Sequence, residues 1–214
     1  MLNKSKGNMY PFVTHTWNTI KGKCPHDCVY CYMKIYKQPE LHFDEKELKT
    51  DLGSGNFIFV GSSCDMWADD ISIWLISQII SHCKRFDNRY LFQSKNPFRF
   101  KSIGKFPSKT ILGVTIETNR EYSDISKAPY LWTRYADFLQ LDLPKMVSIE
   151  PIMDFDLDVL VQWIKDINPE FVSIGADSKR HNLPEPDGDK VRQLISALQE
   201  STVVKIKKNL GRLY

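Results

Sequence analysis

From residue 57 onward, short apolar runs alternate with segments whose apolar residues recur every three or four positions. The runs have the length and the β-branched and aromatic content of buried strands. They are FIFV from residue 57, YLFQ from 90, ILGVTIE from 111, MVSIE from 146 and FVSIG from 171. VTHTWN, from residue 13, predicts an earlier strand, and VVKIKK, from 203, predicts a last one.

Three of the intervening segments carry apolar stripes at helical spacing and so predict helices with one face on a core. The stripes are Ile76, Ile79, Ile80 and Cys83; Leu157, Leu160, Val161 and Ile164; and Val191, Leu194, Ile195 and Leu198. Acidic residues are candidate caps at their starts, namely Asp69 or Asp70, Asp156, and Asp187 or Asp189. Strands that alternate with helices pair in parallel, so the pattern predicts an α/β fold, doubly wound or curled into a barrel.

Composition and charge narrow the class of protein. The 214 residues suit one domain, and 42% apolar with 26% charged residues is typical of a globular chain. No apolar run approaches the roughly 18 residues that a membrane span needs, and the start of the chain lacks the apolar core of a secretory signal. We therefore expect a cytoplasmic location. The net charge of +3 permits contact with nucleic acid without arguing for it.

Candidate chemistry is concentrated in KCPHDCVYCYM, where Cys24, Cys28 and Cys31 form the pattern CxxxCxxC. A zinc site would need a fourth ligand, which His26, His15 or Cys64 could supply. A disulfide would leave one of these thiols unpaired and needs an oxidising compartment. A 4Fe–4S cluster held by three thiolates keeps one iron open to another ligand, so three thiols suit a cluster that takes part in chemistry.

The stretch resembles the cluster-binding motif of the radical S-adenosylmethionine (radical SAM) superfamily, including the aromatic Tyr30 before the third cysteine. The resemblance implies two cofactors, a 4Fe–4S cluster and SAM, with Cys24, Cys28 and Cys31 as the cluster ligands. It also implies that the cluster cleaves SAM reductively to a 5'-deoxyadenosyl radical, which abstracts hydrogen from a substrate. An electron donor such as flavodoxin or ferredoxin is implied as a partner.

The resemblance extends along the chain. FVGSSCD, LFQSKNP, GVTIETN and VSIEPIM resemble, in that order, strand-end segments of spore photoproduct lyase and its relatives. The whole chain resembles a family of short, often phage-borne radical SAM proteins. The implied fold is a partial (β/α)6 TIM-type barrel. It forms a single radical SAM domain over 1–214, with an N-terminal entry strand in 1–18, the cluster-binding loop in 22–33 and a C-terminal strand and tail in 200–214.

Polar side chains follow successive predicted strands at their carboxyl ends, which is where ligands bind in such folds. Strand parity places Lys95 on the face of Gln93, and Thr115 on the face of Glu117. Each group is individually also explained as a turn, a cap or a solvated side chain. The candidate cofactor-binding residues, which the resemblance assigns to SAM or to the space nearest the substrate, are Tyr30, Ser62, Ser63, Asp65, Lys95, Thr115, Glu117, Glu150 and Asp177.

Cys64 is a candidate catalytic residue, because a cysteine returns a hydrogen atom to the substrate radical in some lyases of this type. The simpler interpretation is a small buried residue. For the substrate we expect a nucleobase, nucleotide or nucleic acid; the alternatives are a small molecule or peptide, and a metal-binding module without catalytic activity. We expect a monomer that has no membrane partner.

Overall fold

The computed structural model describes residues 1–122 and 124–214, which fold around an eight-stranded sheet and a separate two-stranded ribbon. The strands in chain order are β1 (Asn3–Lys4), β2 (His15–Trp17), β3 (Ile20–Lys21), β4 (His42–Phe43), β5 (Phe57–Val60), β6 (Arg89–Ser94), β7 (Thr110–Thr115), β8 (Lys145–Ile149), β9 (Phe171–Ile174) and β10 (Val203–Ile206). The large sheet has the order β1-β2-β5-β6-β7-β8-β9-β10, and β3 pairs with β4. In the large sheet β2 and β5 to β10 run parallel, while β1 is antiparallel to β2.

Helices connect most of the parallel strands. They are α1 (Ile73–Cys83), α2 (Leu131–Leu139), α3 (Leu157–Ile167) and α4 (Gly188–Gln199). Short 3-10 helices, Glu45–Lys49 and Pro97–Ser102, replace an α-helix after β2 and after β6. The predicted partial barrel of α/β class is therefore confirmed, with seven parallel strands joined by six crossovers. Two of those crossovers lack an α-helix.

Alternating strand positions build two apolar clusters, one on each face of the sheet. Ile58, Val60 and their equivalents on the other strands pack with the helices in the larger cluster. Phe57, Phe59 and Leu91 belong to a smaller cluster on the opposite face, together with Tyr10 and Val13 of the β1–β2 connection. Side chains along each strand point alternately to the two faces of the sheet. One set packs against the helices in an outer core, and the other set forms a smaller core on the inner face of the sheet.

The sheet curls around the β1–β2 connection. The ring of Phe12 lies 5.4 Å from that of Phe57 on β5 and 4.8 Å from that of Phe171 on β9. Four strand spacings separate β5 from β9, which would be about 19 Å in a flat sheet. One side chain reaches both strands because the sheet closes partly into a barrel. Tyr10 and Val13 are buried in its interior, and Met9 and Phe12 pack against them.

The helix predictions were right for α1, α3 and α4 and missed α2. The α2 sequence LWTRYADFL places a buried Arg134 within its apolar stripe, which obscured the helical pattern. The predicted cap of α1 was wrong: Ser72, not Asp69 or Asp70, accepts a hydrogen bond from the backbone N–H of Trp74 at 3.2 Å. Asp187 caps α4 as predicted, by accepting from the N–H of Lys190 at 2.8 Å.

Within 1–122 and 124–214, no helix combines the length and the apolar character that crossing a lipid bilayer requires.

Replacing Tyr10 with Phe tests the barrel interior. The Tyr10 hydroxyl donates to Gln93 Oε1 at 2.9 Å, and its oxygen lies 2.8 Å from the Ser148 hydroxyl, so it joins β6 to β8 inside the barrel. Its removal leaves two polar atoms without that hydrogen-bond partner, and we expect the free energy of unfolding in urea to fall by about 1–3 kcal/mol. Tyr36→Phe is the matched control, because Tyr36 is 60% exposed. Equal stability of the two variants would contradict the inward position of Tyr10.

Candidate active site at the carboxyl edge of the sheet

Polar side chains meet at the carboxyl ends of the parallel strands, as parity predicted. Gln93 at the end of β6 donates to Thr115 Oγ1 on β7 at 2.9 Å. Lys95, two residues further along the chain, forms an ion pair with Glu117. The inner face of the sheet therefore changes from apolar in its lower part to polar at this edge.

The cysteine loop lies against this edge. Cys28 is buried, and its Sγ lies 3.1 Å from Ser126 Oγ. Two backbone hydrogen bonds attach the loop to the segment that follows β7: Val29 N–H donates to Ile125 O at 2.9 Å, and Lys127 N–H donates to His26 O at 2.7 Å. The loop is thus placed by contacts made about a hundred residues away in the chain.

The thiols of this loop are in unequal environments. A hydrogen bond with Cys64 lowers the pKa of Cys24 to about 6, which favours the thiolate form that metals bind. Burial raises the pKa of Cys31. The pKa of Cys64 is raised, first by its hydrogen bond with Cys24 and then by burial. Cys64 therefore lies beside a predicted cluster ligand, and its predicted role as a hydrogen donor stays a prediction.

The donor set fits a cluster better than one metal ion. In 1–122 and 124–214, no three His, Cys, Asp or Glu side chains are grouped as a single metal ion requires. A 4Fe–4S cluster makes no such demand, because each thiolate binds a different iron. Three thiols lie on one loop, two of them half-buried and one buried, and three is the number of sulfur ligands that such a cluster with one open iron takes.

Glu117 is the centre of a buried polar network. Its carboxylate accepts hydrogen bonds from the Tyr30 hydroxyl and from Lys95 Nζ, and it lies 2.8 Å from Arg134 Nη1. The Lys95 ammonium also lies 2.9 Å from the Tyr30 hydroxyl. Burial would raise the pKa of Glu117, but Lys95 and Arg134 outweigh it and lower that pKa to about 2. The network joins the cysteine loop, β6, β7 and α2.

Asp65 holds the turn after β5 rather than presenting free oxygens. It accepts hydrogen bonds from His26 Nε2, Ser94 Oγ, and the N–H groups of Lys95 and Trp67, each at 2.9 Å. Burial opposes ionisation, yet the bond from His26 and these donors lower the pKa of Asp65. His26 is thus engaged by a carboxylate, and this contact links the cysteine loop to the turn.

Ser62 and Ser63 are half-exposed in the same turn and are held by Asn18. Asn18 Oδ1 accepts from Ser63 N–H at 3.0 Å and from Ser62 Oγ at 3.3 Å. Asn18, which follows β2 directly, was not predicted. It is the last residue of the predicted strand segment VTHTWN, and a polar amide at a strand end was the feature that could have indicated its role.

Glu150 and Asp177 form a second polar group further along the edge. Glu150 pairs with Lys207 at 2.7 Å and accepts from Asn8 at 3.2 Å. It lies so close to the end of β9 that a Cβ at Gly175 would be 2.7 Å from its Oε1, so a side chain at position 175 would displace the Glu150 carboxylate. Asp177 accepts from the ring of His181 at 2.8 Å.

A cavity of about 400 Å³ opens beside the network, within the usual range for small-ligand sites. Tyr30, Glu117 and Arg134 line it, and residues 121–122 and 125–131 form most of its rim. Of the predicted site residues, Tyr30 and Glu117 lie on this cavity, whereas Ser62, Ser63 and Asp65 lie on the other side of Lys95. Sequence reasoning missed Arg134 and the rim, although a charged residue within an apolar helical stripe was a usable signal.

Comparison with known proteins identifies the fold. No family model and no curated protein matches the chain in sequence. Its structure is similar to spore photoproduct lyase complexed with dinucleoside spore photoproduct, with a TM-score of 0.60, 12% identity and 91% of this chain covered. It is also similar to a double mutant of that lyase with bound AdoMet and dinucleoside spore photoproduct, with a TM-score of 0.58, 12% identity and 91% coverage. The chain spans 64% of each of those chains, and at this identity the likeness is one of fold.

Replacing Arg134 with Met tests the network. The change leaves the buried Glu117 carboxylate with one cation fewer, and breaking a buried pair in this way is strongly destabilising. We expect the free energy of unfolding at pH 7 to fall by about 3 kcal/mol. Arg192→Met is the control. The ion pair of Arg192 with Asp189 is exposed, so its loss should lower the free energy of unfolding by less than about 1 kcal/mol. Similar losses in both variants would contradict the buried pair.

The low pKa of Glu117 also predicts a dependence on pH. Its folded-state pKa of about 2 is below the ordinary value of 4.5, so its ionised form stabilises the fold above pH 4.5. That contribution is lost as the pH falls through about 2. The stability difference between the wild type and Glu117→Gln, measured by urea unfolding across this range, should therefore shrink with falling pH. A difference that stays constant would argue against a depressed pKa.

Proposed function

We propose that the chain is a radical SAM enzyme in which Cys24, Cys28 and Cys31 hold a 4Fe–4S cluster. When bound, the cluster supplies the electron that cleaves SAM to methionine and a 5'-deoxyadenosyl radical, which abstracts hydrogen from the substrate. The observation that carries this proposal is the attachment of a three-thiol loop, through Tyr30 and Glu117, to the carboxyl edge of a curled parallel sheet. Active sites of such barrels gather at this edge.

The residues around the loop suit SAM, which carries an ammonium, a carboxylate, a ribose and an adenine. In this proposal the hydroxyls of Ser62 and Ser63 accept from the ammonium, and Asp65 contributes its negative charge while it holds their turn. Lys95 is half-buried and cationic, so it attracts the carboxylate of SAM in competition with Glu117. Thr115 and Glu117 are placed for the ribose, and Tyr30 orders the loop above them.

For the substrate we propose a nucleobase, nucleotide or nucleic acid. The fold is similar to that of spore photoproduct lyase, which has been solved in complex with dinucleoside spore photoproduct, and Tyr30, Tyr122 and Tyr130 line the cavity. Aromatic rings of this kind stack on bases without regard to sequence. Glu150 and Asp177, further along the edge, are placed to contact the substrate, and Cys64 to return hydrogen to it. A cytoplasmic location, a monomeric state, the single-domain boundaries and kinship with phage-borne proteins remain predictions.

Two other functions each have one observation in their favour. The cavity beside Glu117 has a volume of about 400 Å³, which would suit a small molecule or a peptide side chain. The thiol of Cys64 lies beside Cys24, so a fourth sulfur is at hand for a closed metal site without catalytic activity. A closed site predicts stoichiometric zinc and no product from SAM.

The test is anaerobic reconstitution with iron and sulfide, followed by dithionite, SAM and a search for 5'-deoxyadenosine. The wild type should form it, and Cys28→Ala should lose it together with the cluster's visible absorbance, because two thiolates do not hold the cluster in place. Cys83→Ala is the control, since Cys83 is buried on α1 away from the loop. Product from Cys28→Ala, or none from the wild type with a full cluster, would refute the assignment.

The substrate is tested in the same reaction by adding single-stranded DNA, nucleotides, or a peptide mixture. Nucleic acid or nucleotides should raise the yield of 5'-deoxyadenosine and acquire a mass change. A response confined to peptides or to other small molecules would favour the second function.

A further inference from the structure

A second cavity lies at the amino end of the barrel, and we call it the amino-end cavity. Its volume of about 320 Å³ is within the usual range for small-ligand sites. The lining residues that matter here are Phe12, Phe57, Arg89, Glu170, Phe171 and Lys205. Since Phe57, Arg89 and Phe171 begin β5, β6 and β9, this cavity is at the opposite edge of the sheet from the cysteine loop. Among the described residues, none lines both this cavity and the one beside Glu117.

Two lysines point into the barrel, one from β10 and one from just after it. Lys205 Nζ lies 4.6 Å from the centre of the Phe12 ring, and Lys207 Nζ lies 4.9 Å from that of the Tyr10 ring. Lys207 pairs with Glu150 at 2.7 Å, whereas Lys205 forms no ion pair within residues 1–122 and 124–214. Of two lysines in similar positions, the one nearer the amino end therefore lacks an anionic partner.

Arg89 supplies a second cation to the amino-end cavity. Its guanidinium carbon lies 4.7 Å from the centre of the Phe57 ring, and its side chain also forms no ion pair in the described part of the chain. Glu170 contributes a carboxylate. Two cations and one carboxylate leave the cavity with a net charge of +1, which favours an anion.

A buried hydroxyl lies beside Lys205. Ser173 on β9 is in register with Lys205 on β10 and lies two positions after Phe171, so its side chain is on the inner face of the sheet. This hydroxyl is buried and has no hydrogen-bond partner among the described residues. Most buried hydroxyls in proteins are hydrogen-bonded. The Ser173 hydroxyl is therefore available as a donor beside the unpaired ammonium of Lys205.

We propose that the amino-end cavity binds a small organic anion that has a carboxylate or phosphate head and an apolar body. Arg89 and Lys205 bind the head, because a guanidinium matches both kinds of oxyanion and an ammonium adds a point charge. The body lies on the three phenylalanine rings of the cavity and removes their apolar surface from water. The cavity is separate from the proposed active site, so this site goes beyond the function proposed above and does not depend on it.

The test is a calorimetric titration of the 214-residue chain with phenyl phosphate and with phenylacetate, which share an aromatic body and differ in their heads. We expect a Kd below about 1 mM for at least one of them, and the tighter of the two identifies the head. Benzyl alcohol has the body without the charge, and inorganic phosphate has the charge without the body. Each should bind at least about tenfold more weakly than the tighter organic anion.

Three variants locate the site. Lys205→Met and Arg89→Met should each raise the Kd of that organic anion at least about tenfold, because each removes a charge-assisted contact. Arg89 is exposed at the start of its strand, so its replacement decides the question even if Lys205→Met does not fold. Glu170→Gln should lower the Kd about twofold or more, because the carboxylate repels the ligand.

Lys208→Met is the matched control, since Lys208 is exposed just beyond the carboxyl end of β10. Its Kd should stay within about twofold of the wild type. The proposal is overturned if neither organic anion binds, if benzyl alcohol or inorganic phosphate binds as tightly, or if Lys205→Met and Arg89→Met lose no more affinity than Lys208→Met. None of these results depends on whether the chain forms 5'-deoxyadenosine, so the proposed function is tested separately.

Discussion

The site depends on one buried carboxylate, that of Glu117. It is 1% exposed and is surrounded by the Lys95 ammonium, the Arg134 guanidinium and the Tyr30 hydroxyl. An isolated charge at this depth would be severely unfavourable, so the fold must keep both cations in place. Because the cations come from the end of β6 and from α2, and Tyr30 from the cysteine loop, the constraint fixes three separate parts of the chain relative to β7.

A second carboxylate repeats this arrangement on the other side of Lys95. Asp65 accepts from His26 of the cysteine loop and from Ser94 and the Lys95 N–H at the end of β6. The loop is therefore held at two points, by Asp65 after β5 and by Glu117 after β7. These two strands lie on either side of β6. Loops held in this way can present ligands with little loss of entropy on binding, which suits a cluster and a cofactor that must meet at a fixed distance.

The periodicity of the sequence predicted that Gln93 and Lys95 share one face of their strand, and that Thr115 and Glu117 share one face of theirs. It did not specify that Lys95 pairs with Glu117 and Gln93 with Thr115, which depends on the register between β6 and β7. It also predicted β2, β10 and three of the four α-helices. It did not predict Arg134, because a buried arginine interrupts an apolar stripe and hides the helix that carries it. Nor did it predict the hydrogen bond between His26 and Asp65, or the two hydrogen bonds that Asn18 Oδ1 accepts from Ser62 and Ser63. These contacts join residues 39 or more positions apart, and the local pattern of the sequence does not specify them.

The central claim is that the three cysteines hold a 4Fe–4S cluster with one iron open to SAM at this edge of the sheet. The most direct measurement is the electron paramagnetic resonance spectrum of the reduced, reconstituted protein before and after the addition of SAM, alongside an iron count. We predict about four irons per chain and a spectrum whose g values shift when SAM binds. A spectrum that SAM leaves unchanged, or stoichiometric zinc in place of iron, would contradict the account.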